Sequence, residues 1–141
     1  LSGEYDATMI GQALTNLIKN AGEATETRRE RMSDDFKPQI VVNAGQEGNQ
    51  AVITIADNGI GLPEDRARLF EPYVTTRDSG TGLGLPIVKK IIEEHGGTLS
   101  LEDAPVFDGD SHAGAMAVIR LPLTTEISDN NISKNAEKPA V

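Results

Sequence analysis

Apolar residues recur at helical spacing near the start of the chain and predict a long first helix. Most of them lie three or four positions apart, as on one face of an α-helix. The members of this predicted buried stripe are Ile10, Leu14, Leu17, Ile18, Ala21 and Ala24. Asp6 is a suitable N-cap, so we expect the helix to run from residue 7 to about Met32. We interpret its charged stretch, residues 26–31, as solvated.

Two runs rich in β-branched residues follow and predict a β-hairpin. Residues 39–44 and 50–56 are the predicted strands, with a turn at residues 45–49. Further along, Pro63 can begin a short helix over residues 64–69.

A second amphipathic helix begins near residue 85. Its apolar stripe consists of Leu85, Val88, Ile91, Ile92 and His95. Gly96 and Gly97 end it, because glycine readily adopts the left-handed conformation of a C-cap. Two more strands are predicted at residues 98–102 and 115–121, joined by a long loop.

Beyond Leu123 the chain becomes polar and aperiodic, and we expect disorder there. The pattern therefore predicts one folded domain at residues 1–123 and a disordered tail at residues 124–141. Because the chain begins with Leu1 rather than Met, we also expect it to be a fragment of a longer protein.

Composition narrows the classes of function. The 141 residues, 38% of them hydrophobic, fit one globular domain. No run approaches the roughly 20 apolar residues of a membrane span, so we expect no membrane contact. The absence of cysteine excludes disulfides and zinc–thiolate sites and is compatible with a cytoplasmic location. A net charge of −9 argues against nucleic acid as a partner, although a local site can still bind a nucleotide.

A carboxylate followed by two glycines stands directly after the second predicted strand, in the sequence Asp57-Asn58-Gly59-Ile60-Gly61. The glycines permit a sharp turn and the close approach of a flat ligand, since neither has a Cβ. The carboxylate can then accept hydrogen bonds from an amine, and we expect that amine to be the one on the adenine of ATP. Turns and calcium loops also use Asp and Gly, so the motif alone leaves those alternatives open.

The first helix also has a polar stripe. Asn16, Asn20 and Glu23 lie at positions i, i+4 and i+7, with Lys19 beside them. Asparagine is a poor former of helix interiors, so two of them one turn apart need an explanation. A solvated face is one explanation, and a binding site is the other.

A glycine-rich segment, residues 80–84, leads into the second helix. Backbone N–H groups and the helix dipole make such a segment an anion site, and Thr81 adds a hydroxyl. The segment is not a Walker loop, because Gly84 is followed by Leu85 and Pro86. Neither glycine run has the register of a Rossmann fingerprint, and protein-kinase signatures are absent.

Four segments in this order resemble the boxes of the catalytic, ATP-binding domain of sensor histidine kinases. They are NLIKNA at residues 16–21, DNGIG at 57–61, LFEP at 69–72 and GTGLGL at 80–85. The resemblance covers about residues 6–123. The sequence FEPYVTTR ahead of GTGLGL resembles, more narrowly, the nitrogen-regulation kinases of the NtrB and NtrY type.

The resemblance implies a two-layer α/β sandwich of the Bergerat type. A mixed sheet would form one layer and helices the other, with ATP and Mg²⁺ between them under a flexible lid at about residues 74–81. It also implies two partners. The dimerisation domain of the parent kinase would supply the acceptor histidine, and a response regulator would be an indirect partner.

The resemblance also assigns roles to residues. Asp57 would bind the adenine amine, Asn20 would ligate Mg²⁺ and Phe70 would anchor the lid. The expected nucleotide-binding residues are Asp57, Gly59, Gly61, Phe70, Thr76, Arg77, Gly80, Thr81, Gly82, Leu83 and Gly84. The expected catalytic residues are Asn16, Lys19 and Asn20.

The chain departs from the family pattern at several points. Arg77 stands where the subgroup usually has Lys, the last glycine box is reduced to residues 113–115, and the opening strand is short. No helix with an acceptor histidine is present. His95 ends an amphipathic helix, so we expect it to pack or to cap, and His112 lies in a predicted loop.

Two alternatives remain within this reading. A GHKL-type conformational ATPase typically has a water-activating glutamate four residues before the magnesium-binding asparagine, and here that position is Asn16. We therefore expect slow hydrolysis and favour phosphoryl transfer to an external histidine. A nucleotide-binding scaffold without catalysis is the second alternative, against which Lys19, Asn20 and the glycine-rich lid argue.

Overall fold

The computed structural model describes residues 5–32, 36–63, 70, 84–107 and 112–123. These ranges form two helices and four strands, each of which the sequence pattern predicted. They are α1 Ala7–Arg31, β1 Ile40–Glu47, β2 Gln50–Asp57, α2 Gly84–Glu94, β3 Thr98–Asp103 and β4 Ala115–Pro122. The predicted helix at residues 64–69, the lid at 74–81 and the tail at 124–141 lie outside the described residues.

Helix α1 begins where its cap predicts. The Asp6 carboxylate accepts a hydrogen bond from the Met9 N–H at 3.1 Å, which satisfies one free donor of the first turn. The buried side chains of its apolar stripe are Ala13, Leu17, Ala21 and Ala24. Ile18 was predicted in this stripe but is 43% exposed, because it is rotated about 100° from Leu17 around the helix axis.

The hairpin turn is tighter than predicted. β1 continues to Glu47, which pairs with Gln50, so the connection is the two-residue turn Gly48-Asn49 instead of residues 45–49. Gly48 has a φ of +58°, the left-handed conformation that a two-residue hairpin requires. With this turn, the strand ladder continues up to the turn itself.

The four described strands are ordered β1-β2-β4-β3, and every neighbouring pair is antiparallel. The two-layer α/β class is confirmed, but the mixed sheet predicted for it has no counterpart among the described strands. No neighbouring pair of described strands is parallel because of the way the strands are connected. α2 joins β2 to β3, which run parallel to each other, and β4 is inserted between them.

The two helices pack against each other and cover one face of the sheet. Alternate strand residues point into this layer, as the pleat requires. The core consists of Ala13, Leu17, Ala21, Ala51, Ile55, Val88, Ile91, Ile92, Leu99, Ala117, Ile119 and Leu121. None of these core residues comes from β1, because β1 lies at the edge of the sheet and all eight of its residues are exposed.

The end of α2 is a Schellman C-cap, as its two glycines predicted. The Gly97 N–H donates to the Ile92 carbonyl, and the Gly96 N–H donates to the Glu93 carbonyl, both at 3.0 Å. Gly96 has a φ of +79°, which a residue with a Cβ rarely adopts. The turn leads directly into β3 and so fixes where α2 lies over the sheet.

Candidate nucleotide-binding site

Asp57 is the last residue of β2 and is 4% exposed. Its Oδ1 accepts a hydrogen bond from the Gly59 N–H at 2.8 Å and another from the Ala115 N–H at 3.3 Å. One donor belongs to the turn that follows β2, and the other belongs to the first residue of β4. The carboxylate therefore has a fixed orientation at the junction of two neighbouring strands.

The two glycines after Asp57 serve different purposes. A Cβ on Gly59 would lie 2.5 Å from the Ala24 carbonyl carbon, so this glycine permits the close approach of α1. Gly61 has a φ of +87° and turns the chain away. Between them, the Ile60 N–H donates to the Ala24 carbonyl at 3.3 Å, which fastens the turn to α1.

Asn58 is a structural residue that the sequence reasoning did not single out. It is 4% exposed, and its side chain accepts from the Gln39 N–H at 2.8 Å and donates to the Lys37 carbonyl at 2.9 Å. The Asn58 N–H also donates to the Gln39 carbonyl at 3.2 Å. Asn58 thus holds the chain before β1 against the end of β2.

Gly114 has a larger role than the reduced glycine box suggested. A Cβ at this position would lie 2.0 Å from the Asp57 carbonyl oxygen and 2.9 Å from Oδ1 of the same residue. Only glycine fits there without displacing Asp57. The sequence signal was present in the box at residues 113–115, but its contact with Asp57 depends on strand pairing.

Asn20 lies where the two helices meet. A Cβ built on Gly84, the first residue of α2, would lie 3.8 Å from both Oδ1 and Nδ2 of Asn20. The structure therefore brings together Asn20, predicted to bind the metal, and Gly84, the last residue of the glycine-rich segment. Asn16 is one turn earlier on the same side of α1 and is half-buried, whereas Lys19 is exposed.

Helix α1 also connects the two parts of the candidate site. Ala24, which holds the turn after Asp57, is one helical turn beyond Asn20, a rise of about 6 Å along the axis. The Asp57 carboxylate, which can accept a hydrogen bond from an amine, is thereby held on the same side of α1 as the N-terminus of α2. Free N–H groups at a helix N-terminus favour anions, so the arrangement suits a ligand with an amine at one end and phosphates at the other.

Phe70 is partly buried against the core, with the ammonium of Lys89 at 5.6 Å from its ring centroid. This position is compatible with the anchoring role expected of it. Six other predicted site residues lie outside the described residues: Thr76, Arg77, Gly80, Thr81, Gly82 and Leu83.

His95 caps α2, in agreement with one of the roles expected for it. Its Nδ1 is 2.7 Å from the Ile91 carbonyl, and its Nε2 accepts the Asp6 N–H at 3.0 Å. A carbonyl only accepts and an N–H only donates, so this hydrogen-bond pattern assigns the donor role to Nδ1 and the acceptor role to Nε2. His112 is exposed, and its Nε2 is 3.0 Å from the Ile60 carbonyl beside the Asp57 turn.

A family model described as histidine kinase-, DNA gyrase B- and HSP90-like ATPase matches residues 5–125. The chain belongs to this family. Since that match covers both helices and all four described strands, the family assignment applies to the whole described fold.

Several curated proteins similar to this chain are named as sensor or sensory histidine kinases. The chain is 50% identical over 129 residues to nitrogen regulation protein NtrY of Azorhizobium caulinodans, a match that covers 89% of the chain and 15% of NtrY. It is 41% identical over 105 residues to the sensory histidine kinase/phosphatase NtrB of Rhodobacter capsulatus, covering 71% of the chain and 30% of NtrB. The predicted resemblance to NtrB- and NtrY-type kinases is confirmed, and the chain corresponds to a minor part of these longer proteins.

Solved structures agree with the family assignment. The mycobacterial sensor histidine kinase MprB superimposes with a TM-score of 0.68 at 28% identity, over 83% of this chain and 72% of that chain. A nucleotide-free catalytic domain of histidine kinase ThkA gives 0.66 at 30% identity, over 86% and 71% of the two chains. In the described ranges, no helix is long and apolar enough to cross a membrane.

Proposed function

We propose that this chain binds Mg-ATP and donates the γ-phosphate to a histidine on the dimerisation domain of a two-component sensor kinase. One observation supports this most directly. The buried Asp57 and the Asn20–Gly84 junction lie along one side of α1, in a chain that belongs to a family of ATPases. The acceptor domain is a separate part of the parent kinase, which acts in the cytoplasm and passes the phosphate to a response regulator.

In this proposal, Asp57 recognises adenine. Because its Oδ1 accepts two backbone N–H groups, the carboxylate does not need to reorient when an amine binds. A carboxylate accepts from the 6-amino group of adenine and repels a carbonyl oxygen at the same position. The pocket should therefore prefer adenine to purines with a 6-oxo group.

Phosphate binding falls to the start of α2 and the segment before it. Phosphoryl transfer depends mainly on positioning and on neutralising charge, so the N–H groups at Gly84 and the ammonium of Lys19 are suitable groups. Mg²⁺ commonly uses one or two protein oxygens together with the phosphates. The amide oxygen of Asn20 fits that donor set, and bound Mg²⁺ would neutralise phosphate charge there.

A conformational ATPase of the same family is the second candidate. It would need a general base close to the phosphates, and Asn16 is the residue one turn before Asn20 on α1. An amide cannot take a proton from water at neutral pH. Transfer to an external histidine is therefore better supported than rapid hydrolysis.

Radiolabelled ATP tests the proposal directly. The isolated chain should bind Mg-ATP and hydrolyse it slowly. It should remain unlabelled, because the His95 ring contacts the Ile91 carbonyl in the cap of α2 and the His112 ring contacts the Ile60 carbonyl. Adding the histidine-bearing domain of the parent kinase should produce acid-labile label on that domain. The yield should be low, because the lost tether removes a high effective concentration.

The Asn20→Ala variant provides the control for the metal role. It should reduce transfer more than it reduces ADP affinity. Rapid steady hydrolysis by the isolated chain would favour the conformational ATPase. Acid-labile label on His95 or His112 would contradict the proposal that the acceptor histidine lies on a separate domain. Tight ATP binding without transfer to any histidine-bearing domain would favour a scaffold.

A further inference from the structure

One cation in the charged stretch at the end of α1 is buried, which corrects the sequence-based interpretation of this stretch as solvated. Arg28 is 8% exposed and continues the core stripe of Leu17, Ala21 and Ala24 at helical spacing. Arginine is almost never buried unless it is paired, because removing its charge from water is unfavourable. The surroundings of Arg28 must therefore compensate for that charge.

The groups around the Arg28 guanidinium include three that lie on described residues. Its Nη1 donates to the Asn58 carbonyl at 2.8 Å in a buried hydrogen bond, and its Nε lies 3.1 Å from the sulfur of Met32. The guanidinium carbon is also 4.5 Å from the ring centroid of Phe36, a cation–π distance. These contacts aim the side chain at the turn that follows β2.

The Asn58 carbonyl and the Gly59 N–H belong to the same peptide unit. The carbonyl end accepts from Arg28 at 2.8 Å, and the N–H end donates to Asp57 Oδ1 at 2.8 Å. A peptide unit is planar, so fixing one end fixes the direction of the other. Hydrogen bonding to the carbonyl also polarises the unit and strengthens its N–H as a donor.

We propose that Arg28 is a positioning residue that aligns the Asp57 carboxylate through the Asn58–Gly59 peptide and so sets the preference of the pocket for adenine. This inference rests on the proposed function, in which Asp57 binds the adenine amine. Arg28 does not touch the nucleotide in this arrangement. Its effect reaches Asp57 through one planar peptide and two hydrogen bonds.

The test compares ADP with inosine diphosphate, in which a carbonyl replaces the 6-amino group. Both affinities are measured with Mg²⁺ by competition against a fluorescent ADP analogue, well below the melting temperature of each chain. The chains are the full 141-residue protein, Arg28→Met, Arg28→Lys and the control Arg31→Met, whose arginine is exposed in the same helical turn. The Gly59 amide proton shift is followed by NMR as a direct readout of its hydrogen bond.

Wild type and Arg31→Met should prefer ADP equally. Arg28→Met should lose about tenfold in ADP affinity, the lower limit for a hydrogen bond to a charged group, and should lose most of the preference over inosine diphosphate. Arg28→Lys should fall between them, because an ammonium can reach the carbonyl without the geometry of the guanidinium. The Gly59 amide proton should move upfield in the same order.

Two results would overturn the inference in distinguishable ways. If the folded Arg28 variants keep the wild-type preference and the wild-type Gly59 shift, Arg28 only packs the end of α1, whatever their melting temperatures. If wild type itself shows no preference for ADP, the adenine role of Asp57 fails and the inference fails with it. Should Arg28→Met not fold, Arg28→Lys decides by the same two readouts.

Discussion

Asp57 is surrounded by positions at which a side chain is excluded. Ideal Cβ atoms on Gly59 and Gly114 would lie 2.5 Å from the Ala24 carbonyl carbon and 2.0 Å from the Asp57 carbonyl oxygen. Both distances are shorter than any real Cβ contact, so the backbone itself forms the wall around this carboxylate. The orientation of Asp57 therefore depends on close backbone packing as well as on its own hydrogen bonds.

The Asp57→Asn variant tests the role of the negative charge. One oxygen remains to accept the Gly59 N–H, so the fold should persist. Loss of a charge-assisted hydrogen bond should weaken ATP and ADP binding alike by about 10- to 100-fold. Calorimetry with ADP measures the effect, and Glu94→Gln, at an exposed site on α2, removes the same charge as a control. Unchanged ADP affinity in Asp57→Asn would refute the adenine assignment.

The Gly114→Ala variant tests the close packing. Its methyl group must displace the Asp57 carbonyl, which should lower the free energy of unfolding by about 1–3 kcal/mol, as overpacking generally does. ADP affinity should fall as well, because Asp57 moves. Gly45→Ala is the matched control, since a Cβ at Gly45 meets nothing within 4 Å. Thermal unfolding with and without ADP separates the effects, and wild-type behaviour of Gly114→Ala would contradict the argument.

At the scale of elements, α1 carries separate tasks at its two ends. Its N-terminal end is tied to the far side of the domain, where the Tyr5 hydroxyl donates to the Pro122 carbonyl at 2.5 Å and the Asp6 N–H donates to His95. Partial burial raises the pKa of the Tyr5 hydroxyl, which keeps the donor protonated. Its C-terminal half holds Asn20 and the Asp57 turn. A substitution at the N-terminal end of α1 should therefore change the free energy of unfolding without changing nucleotide affinity.

The Asp6→Ala variant tests this separation. Loss of the N-cap should lower the free energy of unfolding by about 0.5–2 kcal/mol, whereas Asp6→Asn, which still caps, should change it little. ADP affinity should stay the same in both, because Ala24 is about 27 Å away along the helix. Chemical denaturation and calorimetry measure the two quantities. A drop in ADP affinity for folded Asp6→Ala would show that the ends of α1 are coupled.

At the scale of the whole molecule, β4 holds the domain together. It pairs with β2 on one side and β3 on the other, and its first residue donates to Asp57. The strand ends at Pro122, and the Leu123 N–H still donates to the Asn49 carbonyl at 2.9 Å. The family match likewise ends at residue 125. The domain should therefore be complete before the polar tail.

Truncation tests this boundary. A chain that ends at residue 125 should match the full chain in stability to within about 0.5 kcal/mol, as for changes away from the core, and should bind ADP equally well. A chain that ends at residue 114 should fail to fold, because it lacks the strand between β2 and β3. Circular dichroism and calorimetry provide the readouts. Failure of the longer truncation to fold would mean that the tail contributes to the domain.

The sequence by itself determined the local features of this protein. The Asp6 cap, the Gly96 C-cap, the six elements and the four family boxes depend on residues a few positions apart, so periodicity and capping rules could find them. Only the tertiary structure decided that Arg28 is buried, that Gly114 lies against Asp57 and that β4 separates β2 from β3. The Arg28–Asn58 and Ala115–Asp57 hydrogen bonds that accompany this packing join residues 30 and 58 positions apart. Whether a charge is solvated, or a glycine is required, depends on which distant segment packs opposite it, and no local pattern carries that information.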